Sequence, residues 1–175
     1  MKLISLKCKT LFFLFFFLSN AYSNDKIVYV DMNVLINNSK AGLSINKQMQ
    51  KLVDSNNSEY EKLEKSLLKE ENDILKKKNV LDPEKFNEEI FNFKKKIDNF
   101  RNERNNKVNN IRNKNVDAKN ELVKVATKIL AGYSAKNEIS LVLNKDSIIL
   151  GKKTIDITNE ILKLLDNEIK TIKLK

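Results

Sequence analysis

The sequence has no His, no Trp, a single Cys, a single Pro and three isolated glycines among 175 residues. Each shortage closes a class of chemistry. Without His, and with Cys8 alone, the chain cannot assemble a His- or Cys-ligated metal site, a Ser-His or Cys-His nucleophile pair, or a disulfide within one subunit. Gly42, Gly132 and Gly151 stand too far apart to form either glycine-rich phosphate loop. No cofactor and no enzymatic activity are expected. What the chain does have is charge: 32% of its residues are charged, and Lys and Arg number 33 against 23 Asp and Glu. So charged a chain, with so little Gly and Pro, reads as elongated and helical, and its formal +10 points to acidic partners.

Residues 1–23 contain no Asp or Glu. Lys2, Lys7 and Lys9 precede an unbroken apolar run, Leu11 to Leu18, and small residues then lead to Ser23. This is the layout of a secretory signal peptide cleaved near Ser23. The run is far shorter than the roughly 20 residues that a membrane-spanning helix needs. Cys8 lies before the run, not at a lipidation position, and leaves with the leader. Cleavage also removes three positive charges and five of the nine Phe. The four that remain, Phe86, Phe91, Phe93 and Phe100, lie close together in one stretch.

The mature chain divides into a body formed by residues 24–42 and 122–175 and an arm of residues 43–121. Lys26 to Val30 is β-branched and aromatic, which suits a strand. Asp31 caps a short helix through Met32, Leu35 and Ile36, which Gly42 is placed to end. Ile139 to Leu143 and Ser147 to Leu150 flank the turn-forming Asn144-Lys145-Asp146 and predict a β-hairpin. A last helix follows Asp156-Ile157-Thr158, with Ile161, Leu164, Leu165 and Ile169 on one face. Three strands at opposite ends of the chain are too few for a stable independent sheet, so they require one another and other subunits.

The arm carries a coiled-coil-like seam. Met49, Val53, Tyr60, Leu63, Leu67, Ile74 and Leu81 recur at steps of four and three, with Asn56, Glu70 and Lys77 filling the polar steps. Asp82-Pro83-Glu84 marks a fresh helix start, and Phe86, Ile90, Phe93, Ile97 and Phe100 resume the seam. After a four-residue stutter at Arg104 it continues through Val108, Ile111, Asn115, Ala118, Leu122, Val125 and Ile129. Folding back at Pro83 sets Ile74 beside Ile90, Leu67 beside Ile97, and Val53 beside Ile111. Arg101 to Asn110 has one apolar residue, Val108, opposite Asn56, and a bend of the arm is expected there.

The opening segment, Lys26 to Met32 with Val34-Leu35 and Ser39-Lys40-Ala41-Gly42, resembles the start of the Skp/OmpH periplasmic chaperones. Ile139 to Lys145 and Ile155 to Leu162 resemble their close. The resemblance implies an α+β fold in which a long antiparallel helical hairpin stands on a small β body. It further implies a homotrimer whose strands complete a barrel-like core. Ile27, Val28, Tyr29, Val30, Leu141, Val142, Leu143, Ile148 and Ile149 would form that trimer body. Members of the family hold unfolded outer-membrane proteins between their arms without ATP, which implies a periplasmic holdase.

Candidate client-binding residues follow from the arm's pattern. Lys76, Lys77 and Lys78, and Lys94, Lys95 and Lys96, form basic clusters near the tip. They suit acidic client segments, an anionic membrane surface or lipopolysaccharide. Arg101, Arg104, Lys107, Arg112 and Lys114 extend the basic character, although residues 40–120 hold 19 basic against 14 acidic side chains and are mixed overall. Phe86, Phe93 and Phe100 sit on the seam as core, whereas Phe91 lies one residue past it and either contacts clients or packs on a lysine stem. The acid pairs Glu70-Glu71 and Glu88-Glu89 read as helix-surface charge partners. Export and scarce stacking aromatics exclude nucleic acid as a partner. The competing reading is a secreted structural or adaptor coiled coil that binds one folded envelope partner.

Overall fold

The computed structural model describes residues 25–175. The expected leader, with its apolar run and Cys8, lies outside the described residues. Strand β1 (Lys26–Val30) leads into helix α1 (Met32–Asn38), then α2 (Lys40–Lys76), α3 (Pro83–Lys136), strand β2 (Ile139–Asn144) and helix α4 (Thr158–Glu168). Helices dominate, with α2 of 37 residues and α3 of 54. At 1.5 Å per residue these are about 55 and 80 Å long. Among the described residues, no helix is long and apolar enough to cross a membrane.

Local chemistry explains each boundary. Asp31 accepts a hydrogen bond from the Val34 amide at 3.0 Å and starts α1 as expected. That helix ends at Ser39 rather than at Gly42. Ser39 is extended, and its hydroxyl accepts from the Gly42 amide at 3.1 Å, so one residue closes α1 and caps α2. The Asp166 carboxylate of α4 takes the Lys40 amide at 2.7 Å, meeting a second orphan donor at the same positive helix end. Gly42 serves a different purpose: a Cβ there would lie 1.9 Å from the Ile36 carbonyl oxygen. It allows the sharp α1–α2 corner. At the tip, Asp82 accepts from the Glu84 amide at 2.9 Å with Pro83 in the first turn, as the sequence predicts.

The expected hairpin at residues 139–150 does not form. β2 pairs with β1 instead, in parallel, with Ile27 beside Leu141 and Tyr29 beside Leu143. Lys145–Ser147 is a 3-10 turn, and residues 148–150 form no strand. The turn-forming residues were real, but they release the chain to cross the sheet. It returns to β1 at Tyr29, whose carbonyl accepts from the Ile157 amide at 3.0 Å. At Gly151 a Cβ would stand 3.0 Å from the Tyr29 ring, a tight approach to which the ring would have to yield slightly.

The core lies at the root of the arm. Val28 and Val30 from β1, Leu35 from α1, Ala41 and Ile45 from α2, Ala118, Leu122 and Ala126 from α3, and Ile161 and Leu165 from α4 form one buried cluster. Ile157 and Ile172 complete it. Both ends of the chain therefore close around the base of the two long helices. Leu164, placed by periodicity on the buried face of α4, is exposed. The body's polar frame is equally non-local. The Asp31 amide donates to Thr158 Oγ1 at 2.9 Å, and Lys145 bonds Asp31 Oδ2 at 3.0 Å. Above the body the seam thins: Tyr60, Ile74, Phe93 and Ile111 are its buried apolar residues.

Candidate functional site

The arm is a two-helix structure, so its seam cannot be covered from every side. Two open grooves run along it. One, of about 480 Å³, is lined by Leu67, Leu68, Phe93, Ile97 and Phe100, with Glu64, Glu71, Arg101 and Arg104 at its rim. The other, of about 520 Å³, is lined by Ile74, Leu75, Ile90, Phe93 and Ile97, rimmed by Glu71, Lys94, Asp98 and Arg101. They share Glu71, Phe93, Ile97 and Arg101, so they adjoin. The pairings expected from folding back at Pro83 are visible here: Leu67 and Ile97 line one groove, and Ile74 and Ile90 the other. Leu68, Leu75 and Phe91 are each more than half exposed. Such a surface offers apolar contact without a shape that selects one ligand, and its rims carry both signs of charge.

Phe91 is 57% exposed, and the Lys95 ammonium stands 4.4 Å from its ring centroid. A lysine ammonium thus stands against the ring, and more than half of the residue is open to solvent. The basic clusters do not behave as units. Lys77 bonds both Glu89 oxygens at 3.0 Å, and Lys96 pairs with Glu70. Glu70–Lys96 joins α2 to α3, Lys77 reaches Glu89 of α3 from the turn just past α2, and both pairs line a polar groove on the arm with Ser66 and Asp73. Lys76 pairs with Asp73 within α2 at 3.1 Å. Lys78 and Lys94 are exposed and make no ion pair among the described residues. Helical spacing alone cannot reveal cross-hairpin pairs, because they depend on the register of the fold-back.

Phe100 meets Tyr60 edge-on at 5.6 Å between ring centroids, an aromatic clasp that the seam pattern predicts only as two apolar positions. Below it, Arg101 to Asn110 is exposed throughout. The helix itself is unbroken there, so the expected bend is not a kink; no Pro or Gly interrupts it. What the segment lacks is burial. Asn56 is buried on the facing helix, and its Oδ1 has no hydrogen-bond partner; the same holds for Asn115 Oδ1.

In the body, the residues expected to meet other subunits separate into two groups. Val28, Tyr29 and Val30 are buried by their own chain, and Val142 and Ile148 are half-buried. Ile27, Leu141 and Leu143 are exposed on one face of the sheet, and Ile149 and Leu150 are almost fully solvated. β1 is flanked on one side by β2 and on the other by the Asp156 bridge, while β2 has no second neighbour among the described residues. An unpaired strand edge beside exposed apolar side chains is a template for pairing with another chain.

A long two-helix arm, rooted in a body that both chain ends close, defines the architectural class. The family model described as outer membrane protein (OmpH-like) matches residues 26–165, and the chain belongs to that family. A crystal structure of a Caulobacter crescentus CB15 protein described as OmpH-like shares the fold. Its TM-score is 0.79, over 89% of this chain and 92% of that one, at 14% sequence identity. No curated protein matches the sequence.

Proposed function

We propose that the mature protein is an ATP-independent periplasmic holdase. It keeps unfolded outer-membrane proteins soluble in a cavity between the helical arms of a homotrimer. The observation that carries this reading is the pair of adjoining open apolar grooves on the arm, with exposed Leu68 and Leu75 in their linings and rims of mixed charge; Phe91 is a further exposed apolar side chain on the arm. Many weak contacts of this kind hold a chain without recognising its sequence, and an enclosing set of arms raises their effective concentration. Residues 24–42 and 122–175 would supply the trimer body, through the open edge of β2 and the exposed Ile27, Leu141, Leu143 and Ile149. Residues 43–121 would supply the arm. Lys78 and Lys94, free of ion pairs, are the members of the basic clusters best placed to attract an acidic client segment, an anionic membrane surface or lipopolysaccharide.

Selectivity is the test. Purified mature protein should suppress the light scattering of several unrelated β-barrel proteins diluted from urea, without nucleotide. Capture of one folded envelope partner, with no suppression of any unfolded protein, would replace this reading with that of an adaptor coiled coil.

A further inference from the structure

Beyond α4 the chain does not wander off but lies across the root of the arm. Ile172 is only 4% exposed and belongs to the core cluster, and Ile169 and Leu174 pack against it half-buried. Gln48 of α2 holds this segment by its backbone. Its Nε2 donates to the Ile172 carbonyl at 2.8 Å, and its Oε1 accepts from the Leu174 amide at 3.3 Å. One donor and one acceptor thus span Lys173, in the way that a residue of a parallel strand bonds the carbonyl and the amide on either side of its neighbour. On the other helix, Lys175 approaches Glu121 of α3 at 3.8 Å, an exposed pair that adds little. The matched family region ends at residue 165, before this segment begins.

We propose that this cleft is a binding site for an extended polypeptide with aliphatic side chains two residues apart, occupied in cis by residues 169–175. The chemistry of its occupant defines its ligand. Alternate side chains enter the apolar cluster, and a side-chain amide reads backbone groups that every non-proline peptide carries. Such recognition follows the logic of strand addition, with bonds to the ligand's main chain for affinity and alternate pockets for selectivity, but the bonds come from one side chain on a helix, not from a sheet edge. Met49, beside Gln48 in sequence and packed against the same cluster, supplies a side chain that adapts to differing shapes. The C-terminal segment then competes with any ligand from the same chain. That an unfolded β-strand of a client is the natural ligand rests on the chaperone reading; the cleft itself does not.

The test uses the full mature chain and a fluorescent peptide covering residues 169–175, followed by anisotropy. Ile172→Ser with Leu174→Ser releases the segment without changing charge. This variant should bind the peptide at least about tenfold more tightly than the unaltered protein, because the tethered competitor is gone. Adding Gln48→Leu, or using a peptide with Ile172→Ser, should remove that binding. Equal binding to the released and unaltered proteins, or none to either while circular dichroism shows both folded, overturns the proposal. If the released variant loses its helicity, hydrogen exchange of the unaltered protein decides. The Leu174 amide should exchange faster than that of Val30, and faster still with excess peptide; exchange only through global unfolding overturns the proposal. Peptide binding without suppression of client aggregation would support the cleft and remove the chaperone reading, and the reverse result would do the opposite.

Discussion

Single residues in the body carry more than their local geometry. Asp31 caps α1, and its carboxyl is held below the ordinary carboxylate range, first by the Val34 amide and then by its bond to Lys145. A depressed folded value stabilises the native state above the unfolded value, near 3.8, and that contribution is lost as pH falls through the depressed one. Asp31→Asn should therefore lower the urea midpoint at pH 7, and the gap from the unaltered protein should narrow at pH 3. A gap that stays constant would show that the charge is not what matters. Gly42 is the steric counterpart. Gly42→Ala should cost about 1–3 kcal/mol by forcing the α1–α2 corner open, measured by thermal unfolding. Asn56 works in the opposite direction: it is buried with an unpaired acceptor, so Asn56→Leu should raise the melting temperature. On the arm, Phe91→Ala should weaken client binding and leave the oligomer intact; unchanged affinity would remove Phe91 from the site.

Among elements, the arm is uneven along its length. The Tyr60–Phe100 clasp and the Lys77–Glu89 and Glu70–Lys96 pairs hold its outer part, and the core cluster holds its root. Between them Arg101 to Asn110 has no buried residue, so its amides should exchange with solvent faster than those at the tip. Exchange no faster than at the tip would count against this soft segment. The elements legible in the sequence were those set by local rules: the β-branched and aromatic β1, the Asp31 and Asp82-Pro83-Glu84 helix starts, and the seam spacing. What stayed hidden depended on distant partners. The segment 147–150 has the composition of a strand, but among the described residues it pairs with none: the chain turns at Lys145–Ser147 and returns to β1 at Tyr29 instead of folding back on β2. Gly42 has the look of a helix terminator, and only the position of the Ile36 carbonyl shows its role as a contact point. The candidate site followed the same division. Phe91 could be placed off the seam by counting, whereas the pairing of Lys77 and Lys96 and the Gln48 clamp require a register that spacing does not determine.

At the scale of the whole molecule, the proposed holdase reading rests on charge and exposure together. Residues 40–120 carry an excess of basic groups, yet several lysines are spent on internal pairs, leaving a mixed surface around open apolar grooves. Among the described residues the body packs its own core but leaves a strand edge and an apolar sheet face uncovered. The proposed function assigns the first surface to clients and the second to further copies, and it needs both. Sedimentation equilibrium of the mature protein, alone and with an unfolded β-barrel protein, tests that requirement directly. The account predicts the mass of three subunits, and of three subunits with one client when the client is added. A monomer that does not sediment with the client would contradict it.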